Sequence, residues 1–98
     1  YASDIYGWYK NDNDPKFSSL LKITESRFDG LNYKILKSDG MTTEISITNS
    51  KKPTIINKID DETIKITTVN GKTVIYKLVT HDINLSKKDI AKMDQSAK

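Results

Sequence analysis

The chain has 98 residues, of which 36% are hydrophobic and 30% charged, so the composition excludes a disordered chain and fits one globular domain spanning residues 1–98. The absence of cysteine excludes disulfides, thiol nucleophiles and cysteine-based zinc sites. The net charge is +3, but the basic residues are nearly all lysine and alternate with acidic ones, which predicts a mixed-charge surface rather than a nucleic-acid reader.

The first segment, "DIYGWYKNDNDP" (4–15), concentrates aromatic residues ahead of an amide-rich turn. A strand from Ile5 to Lys10 would carry Tyr6 and Trp8 on one face, and Ile5, Gly7 and Tyr9 on the other. Both faces are apolar, so this strand is either covered on both sides or exposes one aromatic patch. We expect Trp8 to anchor the core and Tyr9, which precedes Lys10, to lie on the surface and take part in recognition. The "NDNDP" stretch lacks the spacing of a calcium loop and predicts a turn without a metal.

The middle of the chain alternates apolar and polar residues, as half-buried strands do. Turn residues such as "FDG" (28–30), "SDG" (38–40) and "KKP" (51–53) separate the alternating runs. The predicted strands are 20–24, 31–36, 41–49 and 54–59. The second of them, 31–36, places Leu31, Tyr33 and Ile35 on one face. No apolar run approaches the roughly 18 residues of a membrane span.

The segment "TIKITTVNGKTVIYKL" (63–78) predicts a hairpin, and its apolar residues choose the register. A two-residue loop at Asn70-Gly71 would mix lysine and isoleucine on both faces. A three-residue loop, with Gly71 in the left-handed conformation, pairs Ile66 with Val74 and Ile64 with Tyr76 and so gathers the apolar residues on one face. We therefore predict the three-residue loop.

A helix is predicted from residue 87 to about 95. Ser86 and Asp89 have the spacing of a capping box, and Leu85 and Ile90 have that of a hydrophobic staple. Ile90 and Met93 lie on one side of this helix and should dock it on the rest of the domain. Together, the strands at spacings of eight to twelve residues predict an all-β antiparallel meander, closed into a barrel of about seven strands over residues 5–80.

Catalysis has little support in the sequence. The one histidine, His81, has no nucleophile motif to accompany it, and Glu25, Glu44 and Glu62 are expected at turns or on the solvent face. We predict no enzyme activity and no cofactor.

The stretches "YGWY", "LLKIT" and "DDETIKITTVNGKTVIYKL" resemble the small lipocalin-like β-barrel domains of secreted or lipid-anchored Gram-positive bacterial proteins. The resemblance implies a small lipocalin-like barrel with Trp8 across one end, in an exported or cell-surface protein. The chain starts at Tyr1 without an initiator methionine, and we expect an upstream segment to have been removed.

The expected function is non-catalytic binding of a protein or a small hydrophobic ligand by a monomer, with Tyr6, Tyr9 and Tyr33 as ligand-binding residues. The alternative is a barrel of the OB type, in which the same tyrosines and Lys10 would bind single-stranded nucleic acid by stacking on bases. The scarcity of arginine makes nucleic acid the less favoured partner.

Overall fold

The structure is a computed structural model that describes residues 5–13 and 20–96, with side chains as far as Lys92. It confirms an all-β antiparallel meander closed into a barrel, followed by one short helix. The barrel has eight strands rather than about seven. In chain order the elements are β1 (Gly7–Asn11), β2 (Leu20–Ile23), β3 (Arg27–Phe28), β4 (Leu31–Asp39), β5 (Thr42–Ile47), β6 (Thr54–Asp60), β7 (Thr63–Thr67), β8 (Thr73–Thr80) and α1 (Lys87–Ser96).

The additional strand is β3, which lies in a segment that the sequence marked as a turn. It has two residues, and Phe28 pairs with Leu31 across a turn in which Asp29 and Gly30 both have positive φ (52° and 83°). Asp-Gly with two positive φ angles is typical of a tight hairpin loop. A strand of two residues is too short to show an alternation of apolar and polar side chains, so the sequence does not predict it.

The inward positions of the strands form one apolar core. Tyr9, Ile23, Ile45, Ile56 and Ile64 are among its most deeply buried side chains, and Ile5 joins them from ahead of β1. Each strand contributes alternate residues because successive side chains point to opposite faces. The same pleat turns most of the strand lysines outward.

Both faces of β1 are covered. Tyr9 points into the barrel and belongs to the core, whereas the neighbouring Trp8 points outward, where the Lys22 ammonium lies 5.3 Å from the centre of its ring. Trp8 is nevertheless buried, and its Nε1–H donates to the carbonyl oxygen of Leu85 at 3.0 Å. The prediction that Trp8 is buried is therefore confirmed, although Trp8 lies outside the cluster of side chains that fills the core of the barrel. The segment leading into α1 covers it from outside.

The barrel closes where β1 pairs with β8. Trp8 lies opposite Thr80 and Tyr9 opposite Leu78, so Val79 is an extra residue, a β-bulge. Gly7 sits at this junction with φ of 153°, and a Cβ added to it would lie 2.6 Å from the carbonyl oxygen of Thr80. Only glycine allows the two backbones to approach this closely.

The β7–β8 hairpin has the predicted register. Ile64 pairs with Tyr76 and Ile66 with Val74. The amide of Gly71 donates to the carbonyl of Thr68 at 2.9 Å, and Gly71 has φ of 82°, whereas Asn70 is not among the residues with positive φ. The three-residue loop is confirmed.

The helix α1 begins with the predicted capping box. The amide of Ser86 donates to the Asp89 carboxylate at 2.9 Å, and the amide of Asp89 donates to the Ser86 hydroxyl at 3.2 Å. Ile90 is fully buried, as expected of the docking residue. The side chain of Met93, the second expected docking residue, lies outside the described part of the chain. No helix in the described residues is long and apolar enough to cross a bilayer.

Alanine substitution should separate the two glycines that have structural roles. Gly71→Ala meets open space and carries only the conformational cost of positive φ, about 1 kcal/mol or somewhat more. Gly7→Ala adds a backbone clash and should lower the free energy of unfolding by about 2 to 4 kcal/mol. Asn70→Ala is the matched control and should have a smaller effect than either. Urea denaturation measures all three, and equal losses for both glycine variants would contradict the close approach of β1 to Thr80.

The capping box should make the segment that covers Trp8, at Leu85 before α1, sensitive to acid. The Ser86 amide, then the Ser86 hydroxyl and Lys92, hold the pKa of Asp89 below its usual range. A lowered pKa means that the stabilisation is complete above the unfolded value of about 3.9 and is lost as pH falls through the lower folded value. Trp8 fluorescence should therefore report increasing exposure of its ring below about pH 4.

The matched variant is Asp89→Asn, which cannot ionise and should flatten the acid-dependent part of this fluorescence change. Ser86→Ala removes the other half of the box and should weaken the helix by about 1 kcal/mol at neutral pH. An acid transition of Trp8 that is identical in Asp89→Asn and the unmodified protein would show that another group controls the cover.

Candidate functional site

Two of the three tyrosines expected to bind a ligand lie in the core, and the third packs against it. Tyr9 and Tyr33 belong to the apolar cluster of the barrel interior, and Tyr6 packs against it while remaining partly exposed. The Tyr9 hydroxyl donates to the carbonyl of Ile5 at 2.9 Å, and the Tyr33 hydroxyl donates to the carbonyl of Thr24 at 2.6 Å. Both hydroxyls thus tie loop backbone to the barrel.

The expectation that Tyr9 lies on the surface is wrong. Only 2% of Tyr9 and 8% of Tyr33 is exposed. The alternation of β1 turns Tyr9 inward, and the covering segment buries the opposite face, so the strand has no exposed aromatic patch. Ligand binding by Tyr6, Tyr9 and Tyr33 stays a prediction, and among them Tyr6 has the most accessible side chain.

Burial also determines how these tyrosines ionise. It raises the pKa of Tyr9 to about 12. Burial likewise raises the pKa of Tyr33 to about 12, and the neighbouring Tyr6 hydroxyl and Glu25 carboxylate act in the same direction. These phenols keep their protons at neutral pH and serve as hydrogen-bond donors to backbone carbonyls.

His81 has a structural partner beside this cluster. Its Nδ1 lies 2.7 Å from the carbonyl oxygen of Tyr6, so the ring carries its proton on that nitrogen and donates it. The bond links the chain just after β8 to the residue just before β1. His81 thereby reinforces the closure of the barrel. The prediction that the chain is not an enzyme is untested by this arrangement and stays a prediction.

A different region has the features of a binding surface: the strand β4. The alternation of the sequence predicted Leu31, Tyr33 and Ile35 together on a half-buried face, but only Tyr33 is buried. Leu31 is 53% exposed, Ile35 39% and Leu36 59%. Leu36 is an extra residue in a bulge, because Ile35 pairs with Ile45 and Lys37 pairs with Glu44. Exposed apolar side chains that are neighbours on one strand are a feature of interaction sites where they form a contiguous patch.

The exposure of β4 follows from the shortness of β3. On that side β4 pairs only through Asn32 and Leu31, whereas its pairing with β5 continues to Asp39. Among the described residues, no strand pairs with 34–39 on the side away from β5. The only sequence feature that could have revealed this is the separation of "LLKIT" from "FDG", which leaves too few residues for a full strand between them.

Lysines outnumber carboxylates in the described strands, although basic and acidic residues alternate along the sequence. In the described strands, the outward lysines are Lys10, Lys22, Lys34, Lys37, Lys65 and Lys77. In the described strands the carboxylates are Asp39 and Asp60, at the last residues of β4 and β6, and Glu44 in the interior of β5. Asp61 and Glu62 lie in the turn after β6. The described turns also carry the exposed Lys51, Lys52 and Lys72, so the mixed-charge surface stays a prediction.

A shallow cavity of about 300 Å³ lies beside β4 and the turn after β5. Tyr33 and Ile47 are its apolar lining residues, and the others are Asn32, Lys34, Ser46, Thr48, Asn49 and Ser50. Pockets for small ligands are usually larger or more apolar than this. The described residues contain no group of three or more His, Cys, Asp or Glu side chains that could hold a metal ion.

The chain was compared with protein families, curated proteins and solved structures. No family model, curated protein or solved structure matches it. Its function must therefore be argued from its own geometry.

The buried Tyr9 hydroxyl gives a test of the core. Tyr9→Phe leaves the carbonyl of Ile5 without its donor and should cost about 1 to 3 kcal/mol of stability. Because the folded pKa is raised, the stabilisation linked to this proton is complete below the unfolded value of about 10 and is lost as pH rises through about 12. Alkaline unfolding, followed by tyrosinate absorbance, should thus shift to higher pH in Tyr9→Phe relative to its own stability at pH 7. Ionisation of all tyrosines near pH 10 without unfolding would contradict the burial of Tyr9.

Proposed function

We propose that this domain is a non-catalytic binding module of an exported or cell-surface protein, and that it binds another protein through the outside of its barrel. The observation that carries the proposal is the contrast between the buried side chains inside the barrel and the exposed ones on β4. The interior positions are occupied by packed side chains such as Tyr9, Ile23 and Ile45, whereas β4 presents Ile35 and Leu36 to solvent.

The contrast favours a protein over a small hydrophobic ligand. A lipocalin-like carrier would need apolar space within the barrel, whereas Tyr9 and Tyr33 belong to the interior cluster and bond through their hydroxyls to backbone carbonyls. The cavity at β4 is lined mostly by polar side chains. Exposed apolar residues flanked by lysines instead resemble the rim and centre of protein interfaces.

The same burial weighs against the nucleic-acid alternative. Base stacking requires an accessible aromatic face, and Tyr9 and Tyr33 present none. The outward lysines can attract a polyanion, but such contacts are readily screened by salt. We expect weak, non-specific binding to single-stranded DNA or RNA that disappears by ~0.2 M salt.

Site-specific photo-cross-linking in cells that produce the full protein tests the proposal. A photoreactive residue in place of Leu36 should give a discrete covalent adduct with another protein. The control position is Thr73, which is also exposed but lies at the start of β8. Fractionation of the same cells should recover the adduct with exported or surface material.

Three results would count against the proposal. They are equal adducts at both positions, adducts with nucleic acid instead of protein, and no adduct at Leu36. Nucleic-acid binding that persists above ~0.2 M salt and depends on Tyr6 would favour the alternative function.

A further inference from the structure

We propose that the edge of β4 at residues 34–39, with which no described strand pairs, accepts an extended segment of a partner protein as an additional strand, and that this segment alternates apolar with acidic residues. The inference rests on the proposed protein-binding function and specifies its partner. Strand addition at a sheet edge is an established mode of peptide recognition, in which backbone hydrogen bonds provide affinity and alternate side chains provide specificity.

The direction of the backbone groups follows from the bonds at the start of β4. The carbonyl of Asn32 accepts from the amide of Thr48 on the β5 side at 2.9 Å. The next residue, Tyr33, donates in the opposite direction, to the carbonyl of Ser26 at 3.4 Å. Since these directions alternate in antiparallel pairs, the amide and carbonyl of Ile35 point away from β5. The structure thus offers backbone donors and acceptors beyond the end of β3, where no described strand uses them.

The side chains along the edge define the chemistry of the added segment. Ile35 shares the inward face with Ile45, and its exposure leaves room for an apolar neighbour. Lys34 lies opposite Ser46 on the outward face, and Lys37 lies opposite Glu44. An acidic side chain beside Lys34 would form a favourable cross-strand pair, and a basic one would be repelled.

The same lysines disfavour a second copy of this chain as the occupant. Antiparallel pairing of two β4 edges, centred between Ile35 and Leu36, would place Lys34 of one copy opposite Lys37 of the other. Like charges directly opposite each other destabilise a strand pair. Lysines and a bulge are features with which natural edges avoid pairing with themselves, and both occur here. An acidic partner segment instead gains from these charges.

The test uses synthetic peptides of about eight residues and the full chain, labelled for amide NMR. The first peptide alternates valine with glutamate, the second alternates valine with lysine, and the third is the valine-glutamate peptide with N-methyl groups on alternate amides. The first should shift the amide signals of residues 34–39 and slow the exchange of the Ile35 amide. The other two should bind about ten-fold more weakly, because one is repelled and the other lacks strand hydrogen bonds.

Charge variants provide the matched control. Lys34→Glu should weaken the valine-glutamate peptide by about ten-fold and strengthen the valine-lysine peptide. Lys65→Glu, an outward lysine on β7, should leave both affinities unchanged. Thermal unfolding of each variant confirms that the barrel is intact.

Several outcomes would overturn the inference. They are peptide affinity that N-methylation does not change, equal affinity for the acidic and basic peptides, signal changes confined to residues outside 34–39, and self-association of the protein through β4 in sedimentation.

Cross-linking at Leu36 is independent of the peptides. An adduct there, combined with any of these outcomes, would retain the proposed function and reject strand addition. Peptide binding at the edge without an adduct would show that the edge can accept a strand, but it would reject the proposed function and with it a partner protein.

Discussion

The closure of β1 onto β8 is the constraint on which the rest of the structure depends. The two strands can pair only because Gly7 lets the backbone of β1 approach the carbonyl of Thr80. Once β1 is in place, its alternation sends Tyr9 inward to the core and Trp8 outward to the segment before α1. The interior core and the external cover are therefore consequences of the orientation of this one strand.

The features that were predicted best from the sequence are those determined by residues close to one another in the chain. The register of the β7–β8 hairpin follows from which residues face one another across a short loop, and the capping box of α1 involves residues three positions apart. The pattern of apolar residues determines the register of the hairpin, because a one-residue shift would exchange its two faces. The barrel as a whole was also predictable, since it follows from regular strand and turn spacing.

Features that depend on contact with segments far away in the sequence were not predictable. Tyr9 and Trp8 are adjacent and both aromatic, and the sequence does not indicate which of them meets the core and which meets a segment more than seventy residues later, at Leu85. The apolar residues of β4 have the alternation of a buried strand, but coverage requires a neighbour of matching length, and β3 provides two residues.

The pairing of β1 with β8 also has a consequence for the order of folding. Each hairpin from β4 to β8 can form from local contacts, but closure joins residues at almost opposite ends of the described chain, as in the bond between His81 and Tyr6. Loop-closure entropy delays such contacts, so the barrel should close late. During synthesis β1 leaves the ribosome long before β8, and its aromatic residues stay uncovered until β8 follows. The interval before β8 emerges is when a nascent chain of this design is most exposed to misassociation.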